Sequence, residues 1–231
     1  MKIAVIGNSH TGALKRAWPR LTETFPDKEL TFFAARSLQI CGLELDGQHL
    51  VPSTDTLRHS IRFTSGGKDS VALQDYDAFL IYGVEAPYLF LGDGVFYSAQ
   101  ILDRLVAELV EARGCFKLLD RIRAAGDRPV YVGHDPLPAA RRAVSEAGTV
   151  AYETGINFLR SRIFEPRNAT LVAQPLDTIA GGRFTQSEYS KGSQRLEVGD
   201  KFDMVRHAPA EILHMNDDFG ELWLRQFLAN L

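Results

Sequence analysis

The feature that most constrains this chain is a set of short, wholly apolar runs separated by longer helical patterns. Ile3-Ala4-Val5-Ile6 and Ala78-Phe79-Leu80-Ile81-Tyr82 show no polar alternation, and each is followed at once by a glycine, Gly7 and Gly83. A strand that is apolar on both sides must be covered on both sides, which calls for parallel strands with helices packed on either face. The expected fold class is therefore α/β, with further strands over 30–34, 129–133 and 170–173. Residues 11–25 read as the first crossover helix, with Ala13, Leu14, Ala17, Trp18 and Leu21 on one face and Pro19 predicting a kink or an early end. Other helices are expected over 100–112, 117–125, 137–147 and 155–164. The stretch 37–77 fits no helix, and 61–71 reads as a hairpin around Gly66-Gly67, part of a β-rich excursion placed to help roof a site. Residues 181–199 are polar and rich in Gly and Ser, the pattern of a long loop.

At 231 residues with 45 % hydrophobic content, the sequence supplies one core, and a single domain over 1–231 is expected. The net charge of -3 and the mixed signs leave no basic stripe, which argues against nucleic acid or an anionic membrane surface as partners. Arg141 and Arg142 read as a solvated helix face. Cys41 and Cys115 lie far apart without metal-ligand spacing and fit a reducing compartment or core packing. The apolar run at the N-terminus is too short for a signal peptide, and no run is long enough to span a bilayer, so the expectation is a cytoplasmic protein.

Gly7-Asn8-Ser9-His10-Thr11-Gly12 follows a strand and opens a helix, but the middle glycine of a dinucleotide-binding turn is replaced by Ser9. Either Ser9 caps the helix, or it presents its Oγ at the carboxyl end of the strand beside helix N–H groups able to stabilise an oxyanion. At the other end of the chain, His214 precedes Asn216 and Asp217, either of which would cap a final helix. Glu211 stands three residues before His214, close enough to fix the imidazole tautomer that leaves Nε2 free for a serine proton. His207 with Asp203 forms a rival acid and base pair. His10 reads as a capping or wall residue. His134 and Asp135 end a strand at the edge where ligands bind in open α/β sheets. His134, Asp135, His207, Glu211 and His214 include no pair with the helical spacing of a zinc motif, and no metal or other cofactor is expected.

The Gly7-Asn8-Ser9 turn and the Glu211-x-x-His214-x-Asn216 segment resemble the first and last blocks of the SGNH hydrolases, the GDSL esterase and lipase superfamily. The resemblance implies a three-layer, flavodoxin-like α/β/α domain with a mostly parallel five-stranded sheet. It implies Ser9 as nucleophile, His214 as base and Glu211 as its orienting acid. It also implies oxyanion donors at the Ser9 amide, at a glycine after the second strand, which Gly42 fits, and at an asparagine after the third. That last position falls in Gly83-Val84-Glu85-Ala86, where Glu85 has no proton to donate when ionised. Asn8 is a substitute donor, and Gly83, Glu85 and His134 are expected to line the substrate pocket. The function expected is a serine esterase that removes a small, acetyl-like acyl group from a carbohydrate or other polar small molecule. The alternatives are an acyltransferase using the same serine and a catalytically degenerate glycan-binding or partner-binding member.

Overall fold

The computed structural model describes the whole chain except residues 93, 112, 145–147 and 204. Its core is a five-stranded sheet built from β1 (Lys2–Gly7), β2 (Glu29–Ala34) and three later strands. Between β2 and the third sheet strand lies a small three-stranded antiparallel unit, β3 (Leu43–Asp46), β4 (His49–Pro52) and β5 (Val71–Ala72). The main sheet continues with β6 (Ala78–Tyr82), β7 (Val130–Gly133) and β8 (Ala169–Val172) in the order β2-β1-β6-β7-β8. Every neighbouring pair is parallel. This is the doubly wound α/β/α layout, and all five strands fall within a residue of their expected positions.

Helices α1 (Thr11–Ala17) and α6 (Asp217–Ala229) cover one face, where Ile3, Val5 and Leu80 pack with Leu14, Trp223 and Phe227. On the other face Ala4, Ile6, Phe79 and Ile81 meet α2 (Asp55–Thr64), α4 (Gly114–Ala125) and α5 (Val150–Leu159). Successive residues of β1 thus point into opposite cores, which explains why that run tolerates no polar residue. Burying one such side chain contributes about 2 kcal/mol. Helix α3 (Ala99–Val110) lies outside, with only part of its apolar face packed.

The first helix ends at Ala17 and passes into a 3-10 turn, Trp18–Arg20, the early end expected from Pro19, which has no N–H to continue the ladder. Other local expectations are corrected. The 61–71 segment is no hairpin: Thr54 caps α2, whose apolar face of Leu57 and Ile61 packs inward, and only the Gly66-Gly67 turn leads on to β5. The antiparallel pairing lies upstream, between β3 and β4. Residues 137–144 form no helix, and 145–147 lie outside the described residues. Leu137 N–H donates to Gln174 Oε1, and Ala139 bridges to Thr185, so the backbone is drawn out toward β10 (Phe184–Thr185), which pairs with β9 (Ile179–Ala180). Arg141 and Arg142 are exposed on that extended segment rather than on a helix. No helix among the described residues is long and apolar enough to cross a membrane.

Candidate active site

Two close packings bring the ends of the chain together. Gly7 closes β1 where a Cβ would lie 2.4 Å from the Tyr82 carbonyl, so only glycine lets the turn leave between β2 and β6. Gly220 in α6 sits on the Ala13 backbone, where a Cβ would be 2.3 Å from its carbonyl, and this lets α6 lie directly on α1. Arg16 of α1 meets Asp217 at 2.7 Å, while Asn216 caps α6 by accepting from Phe219 N–H. The segment leading into α6 is thereby held over the end of β1.

There Ser9 Oγ and His214 Nε2 share a hydrogen bond of 2.9 Å. Ser9 is not the helix cap: that position is His10, which makes no side-chain capping bond. Asn8 shapes the turn, its Oδ1 accepting from His10 N–H at 3.1 Å and its carbonyl from Thr11 N–H. The Ser9 N–H has no acceptor among the described residues.

His214 is the middle of three stacked imidazoles. Its ring lies 4.1 Å from that of His207, with planes 13° apart, and 4.8 Å from that of His10. Burial holds His214 below its ordinary pKa, Glu211 working against that shift and Arg195 with it. Burial lowers His10 to about 3 and His207 to about 4, each helped by the charge His214 would carry. Both flanking rings are therefore neutral near pH 7.

Glu211 Oε1 stands 3.7 Å from His214 Nδ1, a charge contact too long for a hydrogen bond, and accepts instead from Leu213 N–H at 2.6 Å. Burial opposes ionisation of Glu211, but the Leu213 bond and the two nearby histidines hold its carboxyl below the usual value. His214 Nδ1 has no hydrogen-bond partner among the described residues. The rival pair does not form: both Asp203 oxygens are taken by Arg36 and by the N–H groups of Val198, Gly199 and Asp200. His207, Glu211 and His214 bring three potential ligand atoms within 4.8 Å of one another. Near-parallel rings cannot aim two in-plane lone pairs at one ion, so this arrangement stacks rather than chelates.

The cavity beside Ser9 has a volume of about 270 Å³ and is lined by Arg36, Ser37, Arg195, Leu196, His207 and His214. Much of this wall comes from the loop expected at 181–199 and its return. Gln194 bridges to Arg206, His207 N–H donates to Ser193 O, and Arg16 and Arg36 fasten the carbonyls of Gln194, Arg195 and Leu196.

The remaining expected site residues lie elsewhere. Gly42 faces Ser53 and Leu57 at the start of β3 and does not line the Ser9 cavity. Gly83 touches Asn8 and Asp135, and with Val84 and Glu85 it forms three successive residues at positive φ, of 72°, 58° and 60°. For a buried valine that is a strained backbone, worth about 1–3 kcal/mol. The turn directs Glu85 Oε2 to the Gly114 N–H that opens α4, and Arg113 holds the Glu85 carbonyl. Glu85, Asp135 and Tyr88 instead line a separate cavity of about 610 Å³. Burial raises Asp135 to about 6, with the Glu85 N–H and the Asn8 side chain opposing that shift. His134 is buried between the Asp135 carbonyl and the Tyr152 hydroxyl and lines neither the Ser9 cavity nor the Glu85 cavity.

Ser37 was missed in the sequence. It lines the Ser9 cavity just past β2 with φ of 55°, a conformation usually filled by glycine, and its N–H has no acceptor among the described residues. A search for glycine alone passes over it.

No family model matches this chain, and no curated protein matches it. Among solved structures it is similar to one described as a gut microbial diltiazem-metabolizing enzyme, with a TM-score of 0.36 and 10% identity. The likeness covers 77% of this chain and 37% of that one, and so weak a match carries no argument about activity.

Proposed function

We propose that this chain is a serine esterase of the SGNH type, removing a small acyl group from a carbohydrate or other polar alcohol through an acyl-enzyme. The observation that carries this reading is the 2.9 Å bond from Ser9 Oγ to His214 Nε2 at the carboxyl end of β1. Ser9 Oγ adds to the ester carbonyl as its proton passes to Nε2. The tetrahedral intermediate then breaks its bond to the alcohol oxygen, which leaves with that proton. Water, deprotonated by His214, next attacks the acyl-Ser9 ester and releases the carboxylic acid. The Ser9 and Ser37 N–H groups are the proposed oxyanion donors, each worth about 10²-fold or more. Glu211 acts on His214 through its charge. A cavity of about 270 Å³ suits a small acyl group better than a long chain.

One observation favours a second reading. Glu85 stands where the family's asparagine donor would be, and its carboxylate is committed to α4. A domain that binds a polar ligand without turning it over fits that loss. Hydrolysis of p-nitrophenyl acetate decides between the two: the esterase reading expects turnover that disappears in Ser9→Ala. Turnover that survives in Ser9→Ala, or its absence from folded protein, favours the binding reading.

A further inference from the structure

We infer that the Ser9 cleft takes substrates bearing a carboxylate or similar oxyanion, recognised by Arg195. This rests on the proposed role of Ser9 for its chemistry, but the anion site stands on separate observations. The charged side chains lining the cavity are two arginines, Arg36 and Arg195, with no carboxylate among the lining residues. Arg36 is consumed: its Nε donates to Leu196 O, and its two Nη atoms meet Asp200 at 2.6 Å and Asp203 at 2.9 Å. It locks the loop and has little left to offer a ligand.

Arg195 differs. Its backbone is fixed at both ends, the N–H on Val205 O at 3.0 Å and the carbonyl on Arg16 Nη1 at 3.3 Å. Its side chain makes no ion pair among the described residues and lies against the ring of Phe202, 5.8 Å from the centroid. A guanidinium with a rigid base, an aromatic floor and unsatisfied donors is preorganised for the planar fork of a carboxylate. Arg195 and His214 line the same cavity of about 270 Å³, so one small ligand can reach both. Among the lining residues, Arg195 is thus the cation that no described carboxylate pairs.

Equilibrium binding to the Ser9→Ala protein tests this, since an ester then stays intact. Monomethyl glutarate, which carries one carboxylate and one ester, is expected to bind saturably and to weaken as salt is raised. Adding Arg195→Ala should weaken it about tenfold or more, adding Arg195→Lys should weaken it less, and neutral dimethyl glutarate should bind more weakly than the monoester. Equal binding with and without Arg195, or equal binding of the two esters, overturns the proposal. Turnover by the protein with Ser9 intact reports separately on the nucleophile. Anion binding without turnover leaves the Arg195 site standing and removes the esterase reading.

Discussion

Ser9 Oγ and His214 Nε2 lie 2.9 Å apart, although 205 positions separate them in the chain. The fold closes that distance by laying α6 on α1 through Gly220 and by pairing Arg16 with Asp217. Glu211, the proposed third member, is less tightly held, because it approaches Nδ1 only to 3.7 Å. His214→Ala should therefore reduce ester turnover by about 10³-fold or more, whereas Glu211→Gln should cost about tenfold or less. Steady-state kinetics on a simple acetate ester, with circular dichroism to check folding, gives the comparison.

The pH profile follows from the stack. A base acts when neutral, and burial holds His214 below its ordinary 6.5. The acid limb of kcat/KM should have its midpoint below pH 6.5, with a plateau through neutrality. A midpoint above 7 would mean that Glu211 dominates the ring.

Acid stability is linked to the same imidazoles. His10 takes its proton near 6.5 when unfolded but only at about 3 when folded, and its Nδ1 is sealed from solvent although part of the residue reaches the surface. Between those values the unfolded state binds more protons, so stability is full above pH 6.5 and falls as pH drops toward 3. His207 adds to this between 6.5 and about 4. Asp135, raised to about 6, works the opposite way between 3.8 and 6. Urea midpoints should decline from pH 7 to pH 4, and His10→Phe, which keeps the ring and removes the titration, should flatten that decline.

Gly220→Ala tests the packing that assembles the site. The new methyl would meet the Ala13 carbonyl, so α6 must shift off α1 at a cost of about 1–3 kcal/mol. Stability and any Ser9-dependent turnover should fall together. Loss of stability with full turnover would show that the Ser9–His214 pair does not depend on this contact.

The sheet was legible because its strands are apolar on both faces, a pattern that leaves few other folds for residues such as Ile3–Ile6 and 78–82. Helix α2 was not, since Leu57 and Ile61 lie among charged residues and the Gly66-Gly67 turn imitates a hairpin. The 137–144 segment carries a helical composition, but its extended course is set by Gln174 and Thr185, whose contacts are not local. Of the candidate site, Ser9, His214 and Glu211 could be picked out because each stands beside a recognisable turn or cap. The wall could not: His207 and Arg195 reach it through the bridge between Gln194 and Arg206, and Ser37 through a backbone angle that its side chain does not announce.

The most direct test is intact-mass spectrometry after exposure to a fluorophosphonate. The native protein should take a single adduct and Ser9→Ala none, while His214→Ala should label more slowly. No adduct on folded native protein, or an adduct that persists without Ser9, would contradict the proposed role of Ser9.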